Sequence, residues 1–157
     1  MRLASWNIGS LTGKSIELVK ILHRHRISIA CIQETRWVGA KAKEIDGFKL
    51  WYSGVKRTTN GVGILVKKDL VEQVVEVRRK SHRIMSIKLV VSLEVLNVVS
   101  VYVPQVGLGE EFKRLFWEDL DEVVQGIPQN EGLFIGGDFN GHIGSRGEGY
   151  MEAWATV

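Results

Sequence analysis

Five polar residues in this sequence could together hold a metal ion and a phosphate group. They are Asn7, Glu34, Tyr102, Asp138 and Asn140. Each comes at or just after the end of an apolar run, where a strand would leave the core, and polar side chains at neighbouring strand ends commonly converge into one site. Any one of them alone is more often a turn former or a cap. Because the set includes a Glu and an Asp, the sequence favours a site that binds a metal and a phosphate.

The apolar runs that would position these residues follow two similar successions of strand, helix and strand. The first covers Leu3–Gln33, and an apolar stripe at helical spacing predicts its helix over Ser15–His25. The second covers Leu93–Gly137, with a helix predicted over Glu110–Gln125 that has acidic residues in its first turn. This repeat predicts two related halves packed sheet against sheet.

Runs rich in β-branched and aromatic residues fill the middle of the chain and predict an antiparallel meander. These runs are Phe48–Tyr52, Gly63–Lys67, Val71–Val77, Arg83–Val91 and Leu93–Val103. The second half has no such meander, because about twenty residues rich in glycine and polar groups follow Gly137. A layered domain cannot bury one sheet face alone. We therefore expect one domain over residues 1–157 that is incomplete at its C-terminal end.

The composition is typical of a globular protein, since 45% of the 157 residues are hydrophobic and 25% are charged. No apolar run approaches the roughly 20 residues that span a bilayer, and polar residues interrupt the N-terminus before a signal peptide could form. We therefore expect no membrane partner. The single cysteine, Cys31, lies in the apolar run Ile27–Ile32 and predicts a buried free thiol. A lone thiol suits a reducing, intracellular compartment.

The net charge of +3 is mildly basic and permits a polyanionic partner without requiring one. The basic clusters fall near predicted strand ends or loops, at Lys41/Lys43, Lys56/Arg57, Lys67/Lys68 and Arg78/Arg79/Lys80. Such residues are usually solvated surface, but on one side of a fold they would attract phosphates. The oligomeric state is not specified by any of these patterns.

The tryptophans have two readings. Trp37, directly after Arg36, could stack on a base or wedge into a groove, but we favour packing over the base of its own loop. Trp6, Trp51 and Trp117 lie in strand or helix patterns and are predicted to be core.

Five short motifs in order resemble those of the exonuclease–endonuclease–phosphatase superfamily. They are Ser5-Trp6-Asn7-Ile8, Ile32-Gln33-Glu34-Thr35-Arg36, Gly61-Val62-Gly63-Ile64-Leu65, Val101-Tyr102-Val103-Pro104 and Gly137-Asp138-Phe139-Asn140. Within the superfamily, the chain is most similar to the endonuclease domain of non-LTR retrotransposons of the RTE kind and to the related craniofacial development protein 2-like proteins.

The resemblance implies a DNase I-like fold, an α/β protein built as a four-layer α/β sandwich, that cleaves DNA with Mg²⁺ or, alternatively, Mn²⁺. By motif position, Glu34 resembles the metal ligand, and Asn7 would organise the metal and its neighbours. Asp138 resembles the residue that orients or deprotonates the attacking water. Asn140 and Tyr102 would donate hydrogen bonds to the scissile phosphate as its charge grows. A functional protein of this kind would act in the nucleus.

Two departures from the family pattern bear on activity. Gly9 stands where many relatives have an Asp or Asn, two residues after Asn7. The family also continues with a late Asp and a final Ser-Asp-His motif, and neither has a counterpart in this sequence. We therefore expect an impaired, C-terminally truncated endonuclease-type phosphodiesterase. The alternatives are a catalytically dead remnant that at most binds nucleic acid, or a phosphatase acting on a phosphorylated small molecule.

Overall fold

A computed structural model describes residues 1–55, 60–104, 107–138 and 150–156, with the backbone alone at Asp138 and at Tyr150–Thr156. The strands are β1 (Arg2–Asn7), β2 (Ile29–Gln33), β3 (Gly39–Ile45), β4 (Phe48–Gly54), β5 (Val62–Lys67), β6 (Val74–Arg79), β7 (Ile84–Val91), β8 (Glu94–Tyr102), β9 (Gly132–Asp138) and β10 (Tyr150–Thr156). The helices are α1 (Ser15–Arg24) and α2 (Glu110–Gln125), and a 3₁₀ helix covers Lys68–Gln73.

The strands form two sheets that pack face to face between the two helices. The first sheet has the order β10-β1-β2-β5-β4-β3 and the second has the order β6-β7-β8-β9. Leu18, Val19 and Leu22 of α1 pack on the outer face of the first sheet, and Phe116 and Leu120 of α2 pack on the outer face of the second. Apolar residues of both inner faces share one core between the sheets. The predicted four-layer α/β sandwich is therefore confirmed.

The predicted strand–helix–strand repeat is present in both halves. β1 and β2 are parallel neighbours joined through α1, and β8 and β9 are parallel neighbours joined through α2. In register, Asn7 lies opposite Gln33 and Tyr102 lies opposite Asp138. Four of the five candidate residues lie at the carboxyl ends of these parallel strands: three end a strand and Glu34 directly follows one. Because parallel strands run in the same direction, their carboxyl ends lie side by side in each sheet.

The single predicted meander is wrong, because its strands are divided between the two sheets. β4 and β5 belong to the first sheet, whereas β6, β7 and β8 belong to the second. The 3₁₀ helix Lys68–Gln73 makes the crossing and includes Val71, which the apolar pattern assigned to a strand. Lys68 and Asp69 interrupt the strand pattern there, and they mark the corner where the chain changes sheets.

The apolar patterns of the sequence did not predict two of the strands, β3 and β10. β3 consists mostly of Ala, Lys and Glu, which are depleted in strands, and it is the edge strand of the first sheet. Charged residues, especially Lys, are common on such edges because they discourage pairing with other chains. β10 lies in the segment expected to be irregular, and its backbone pairs antiparallel with β1.

One tryptophan prediction is wrong. Trp51 is buried and Trp6 is half-buried, as expected, but Trp117 is 48% exposed. α2 buries only the stripe through Phe116 and Leu120, and Trp117 lies outside that stripe, with its ring nearly perpendicular to the Phe116 ring. Within the described part of the chain, no helix is long and apolar enough to cross a membrane.

Candidate active site

The carboxylate of Glu34 lies at the centre of the site and receives groups from both sheets. The Tyr102 hydroxyl donates to Oε1 over 2.6 Å, and the Asn7 Nδ2 amide donates to the same oxygen over 3.3 Å. The Arg36 guanidinium lies 3.6 Å from Oε2. The Glu34 side chain is 17% exposed, so it is partly screened from water yet reachable. Three of the five predicted residues therefore meet around one carboxylate.

The backbone at Glu34 adopts a conformation that a residue with a side chain rarely takes. Its φ is 57°, in the left-handed region, and Arg36 has the same φ. Such residues cost about 1–3 kcal/mol and persist where the surroundings fix them. Here Thr35 N–H donates to Gly61 O over 3.2 Å, and Leu11 N–H donates to Thr35 O over 3.0 Å. The turn is thus held on two sides by neighbouring loops.

Two glycines allow this turn to approach its neighbours. Gly61 has a φ of +95°, and a Cβ there would lie 2.4 Å from the Thr35 hydroxyl. A Cβ on Gly54 would lie 2.0 Å from the carbonyl oxygen of Trp37. Gly61 begins the third sequence motif, so the structure gives that motif a physical reason: only a residue without a side chain lets the segment after β2 lie against the end of β4 and the start of β5.

Asn7 orients Glu34 through a locally fixed amide. Its Oδ1 accepts the N–H of Gly9 over 3.0 Å, which leaves Nδ2 directed at the carboxylate. Gly9 has a φ of +72°, so the backbone needed for this contact is one that glycine adopts freely. The departure from the family pattern at Gly9 therefore keeps the Asn7 turn, although it removes a polar side chain.

Arg83 is a functional candidate that the sequence patterns did not identify. It is 7% exposed, donates to the Tyr102 carbonyl over 3.0 Å and to Asn60 Oδ1 over 3.2 Å, and its guanidinium carbon lies 4.9 Å from the centre of the Tyr102 ring. Burial lowers the pKa of Arg83, while attraction to Tyr102 and Glu34 opposes that shift. A charged residue at the start of a run predicted as a strand was the available signal.

A buried polar layer lies under the site, between the two sheets. Gln33, 1% exposed, donates from Nε2 to Ser5 Oγ over 3.3 Å and to Ser100 Oγ over 3.4 Å. Ser100 Oγ in turn donates to Ile32 O over 3.2 Å. Because a buried polar group costs free energy when it has no partner, this network favours one alignment of β2 against β8.

Asp138 and Asn140 remain predictions. Asp138 ends β9 directly opposite Tyr102 in the parallel register, so its backbone reaches the edge where Tyr102 contacts Glu34. Its side chain and the whole of Asn140 lie outside the described residues.

The residues at this site fit a hard, hydrated cation. No cluster of three or more His, Cys, Asp or Glu occurs in the described ranges, so a zinc-like set is not found there. Mg²⁺ is commonly bound through one or two carboxylates, with waters and substrate phosphates completing its shell. The half-buried Glu34 carboxylate, oriented by two donors, suits that mode of binding.

Comparisons with known proteins identify the family and the fold. Residues 4–153 match the sequence profile of the endonuclease/exonuclease/phosphatase family. Craniofacial development protein 2 of Bos taurus is 29% identical over 146 residues, which cover 92% of this chain and 25% of that protein.

Two solved structures have a similar fold. An AP endonuclease from Archaeoglobus fulgidus aligns with a TM-score of 0.69 and 22% identity over 88% of this chain and 56% of that one. The endonuclease domain of TRAS1, a telomere-specific non-LTR retrotransposon, aligns with a TM-score of 0.62 and 22% identity over 88% of this chain and 58% of that one. The chain thus spans a quarter of the curated relative and little more than half of either structure. These likenesses confirm the predicted fold and resemblance.

Proposed function

This chain belongs to the endonuclease/exonuclease/phosphatase family, and from that premise we propose that it is a Mg²⁺-dependent phosphodiesterase of the endonuclease type that acts on DNA. The family includes nucleases and phosphatases, so hydrolysis of a phosphate ester is the shared chemistry. A retrotransposon-derived origin and a nuclear place of action are part of the same proposal.

One observation carries the proposal: a single carboxylate, Glu34, is oriented by donors from both sheets. Asn7 comes from the end of β1 and Tyr102 from the end of β8, and both donate to the same oxygen. This leaves Oε2 facing Arg36, at 3.6 Å. A carboxylate fixed in this way binds a hard cation without first having to be ordered, which is the preorganisation that catalysis requires.

We assign the following roles to the residues of the chain. Glu34 would hold Mg²⁺, with Asn7 orienting the carboxylate. When bound, the metal would neutralise charge on the phosphate and help to activate water. The Tyr102 hydroxyl, which donates its one proton to Glu34 Oε1 in this structure, would turn that proton to the phosphate as the charge on the phosphate grows, with Arg83 fixing the Tyr102 backbone through its carbonyl. Asp138 would orient or deprotonate the attacking water, and Asn140 would donate to the phosphate.

Plasmid nicking tests the proposal on two proteins. The first is this chain, for which we expect little or no nicking, because its sequence lacks the family's late Asp and Ser-Asp-His motif. The second is the chain fused to the corresponding C-terminal segment of a related domain, for which we expect robust nicking with Mg²⁺ or Mn²⁺ and none with EDTA. Glu34→Gln in the fusion should lower the rate roughly 100-fold or more.

Glu122→Gln is the matched control, since it makes the same chemical change on the opposite layer, where Glu122 is exposed and paired with Lys80. It should nick at the parent rate. Nicking that survives Glu34→Gln would overturn the assignment of Glu34. A fusion that binds DNA but does not nick it would favour the dead remnant, and one that dephosphorylates a small molecule instead would favour the phosphatase.

A further inference from the structure

A groove opens beside the Glu34 carboxylate on the outer side of the first sheet. It is lined by Thr12, Arg36, Trp37, Val38 and Tyr52 and has a volume of about 360 Å³. Arg36 joins the groove to the candidate active site, because its guanidinium lies 3.6 Å from Glu34 Oε2. A chain that crosses the Glu34 site would therefore reach the groove within a short distance.

The groove combines aromatic rings with cations. Trp37 and Tyr52 meet edge to face with ring centres 5.3 Å apart, and both are only partly buried. The Lys43 ammonium lies 5.2 Å from the centre of the Trp37 ring. Lys41 lies opposite Tyr52 in the β3–β4 pairing, so the two side chains share a face of the sheet. Cations beside an exposed aromatic face complement a base and its phosphate.

The Trp37 side chain stands on a firmly held backbone. The carbonyl of Trp37 lies so close to Gly54 that a Cβ there would come within 2.0 Å. The N–H of Trp37 donates to Thr35 Oγ1 over 3.4 Å, and Arg36 N–H donates to Asn60 O over 2.9 Å. A fixed platform costs little ordering on binding, whereas the exposed Lys43 side chain is free to leave the ring for a phosphate.

We propose that this groove binds an unpaired nucleotide of a DNA strand that passes the Glu34 site. The base stacks on Trp37 in place of the Lys43 ammonium, and Lys43 and Arg36 contact the adjoining phosphates. The size of the groove suits one nucleoside, and stacking on a tryptophan accepts any base. The inference rests on the proposed function, since it takes DNA as the substrate.

The test measures binding of short oligonucleotides in EDTA, so that no cleavage is needed. One probe is a fluorescent oligothymidylate, and the other has the same length and phosphates but abasic tetrahydrofuran sites. The parent chain should bind the oligothymidylate about tenfold more tightly than the abasic probe. Trp37→Leu should bind both probes alike, because only the stacking partner is lost. Trp37→Phe should retain part of the preference.

Trp117→Leu is the matched control, because Trp117 is also partly exposed but lies on α2, on the opposite layer. It should keep the full preference for bases. Lys43 lies on an exposed edge strand, so Lys43→Gln should not disturb folding. This substitution should weaken the binding of both probes and reduce the dependence of the binding affinity on salt concentration.

The proposal is overturned if the parent chain shows no preference for bases, if Trp37→Leu keeps that preference, or if Trp117→Leu loses it equally. Glu34→Gln should leave the preference intact, which separates this inference from the proposed catalysis. Nicking without a base preference would contradict only the proposal that the groove binds a nucleotide. A base preference without nicking would contradict only the proposed catalysis and would leave the groove as a nucleotide-binding site.

Discussion

At the scale of single residues, the candidate site consists of one carboxylate and three neighbouring donors that lie at different distances from it. Tyr102 makes the short contact to Glu34, Asn7 makes the longer one, and Arg36 lies beyond hydrogen-bond distance from the other oxygen. Hydrogen bonds to charged groups contribute more than those between neutral groups, about 1.5–3 kcal/mol. The Tyr102 hydroxyl is therefore the donor whose removal should matter most.

Tyr102→Phe tests that ranking. The ring and its contact with Arg83 would remain, but Glu34 would lose its 2.6 Å donor. We expect the fusion protein to nick plasmid roughly 10- to 100-fold more slowly and to melt a few degrees lower, because a hydrogen bond to a charged group is removed. An unchanged rate at every Mg²⁺ concentration would show that the hydroxyl serves neither Glu34 nor the phosphate.

The sequence was informative about these residues because each one ends an apolar run, and strand ends meet at sheet edges. Asn7, Glu34 and Tyr102 are brought together as expected, although their roles stay predictions. Arg83 and Arg36 were missed as parts of the site, since surface arginines are common and burial depends on what packs above them. Arg83 becomes buried only because the β8 end, Asn60 and Phe112 surround it.

At the scale of elements, the turn after β2 is shaped by its neighbours as much as by its own residues. Glu34 and Arg36 both have left-handed backbones, and the turn is bonded to the loops at Leu11 and at Asn60–Gly61. A strained turn of this kind should depend strongly on the glycine it lies against.

Gly61→Ala should therefore destabilise the protein by about 1–3 kcal/mol, the range expected for a side chain forced into a left-handed position or a tight contact. The new Cβ would meet the Thr35 hydroxyl and the Arg36 amide. Urea unfolding would measure the change. Gly126→Ala is the control, because its Cβ would make only ordinary contacts and its φ is −73°; an equal loss there would argue against a specific clash.

The elements that could be predicted are those with strong internal periodicity. The bounds of α2 match the prediction, because its apolar stripe, acidic first turn and following Gly and Pro all agree. β3 was not predicted, since its alternation consists only of Ala and Lys, which are depleted in strands. The division of the predicted meander between the two sheets also could not be predicted. The sheet that a strand joins depends on long-range packing, which local sequence patterns do not encode.

At the scale of the whole molecule, the contact between the two sheets joins the halves. Arg79 of β6 donates to Tyr52 O over 3.0 Å and to Lys41 O over 2.9 Å, so the second sheet is tied to the backbone of the first. Near the centre, a Cβ on Gly136 would lie 2.7 Å from the Cβ of Cys31. Cys31 is thus buried where the sheets approach closely, as the sequence predicted.

This burial makes stability depend on pH through Cys31. Burial raises the pKa of the Cys31 thiol from 9.0 to about 12, partly opposed by hydrogen bonds with Gly136 and Ser100. In the unfolded chain the thiol ionises at its ordinary pKa, so the stability due to the neutral buried thiol is fully present below about pH 9 and is lost progressively as the pH rises towards 12.

Urea unfolding of the parent chain and of Cys31→Ala across alkaline pH measures this contribution. The difference in unfolding free energy between the two proteins should shrink as the pH rises above 9, because only the parent has the thiol to ionise. A difference that stays constant to pH 11 would mean that the thiol titrates alike in both states.

The position of Tyr102 has a mechanical consequence. Glu34 follows a strand of the first sheet and Tyr102 ends a strand of the second, so the 2.6 Å contact joins the two sheets. One residue of slip along a strand is about 3.3 Å, more than the whole length of that contact. The contact therefore depends on how the two sheets are aligned. A core substitution that shifts one sheet against the other by one residue would break the Tyr102–Glu34 hydrogen bond while leaving every strand intact.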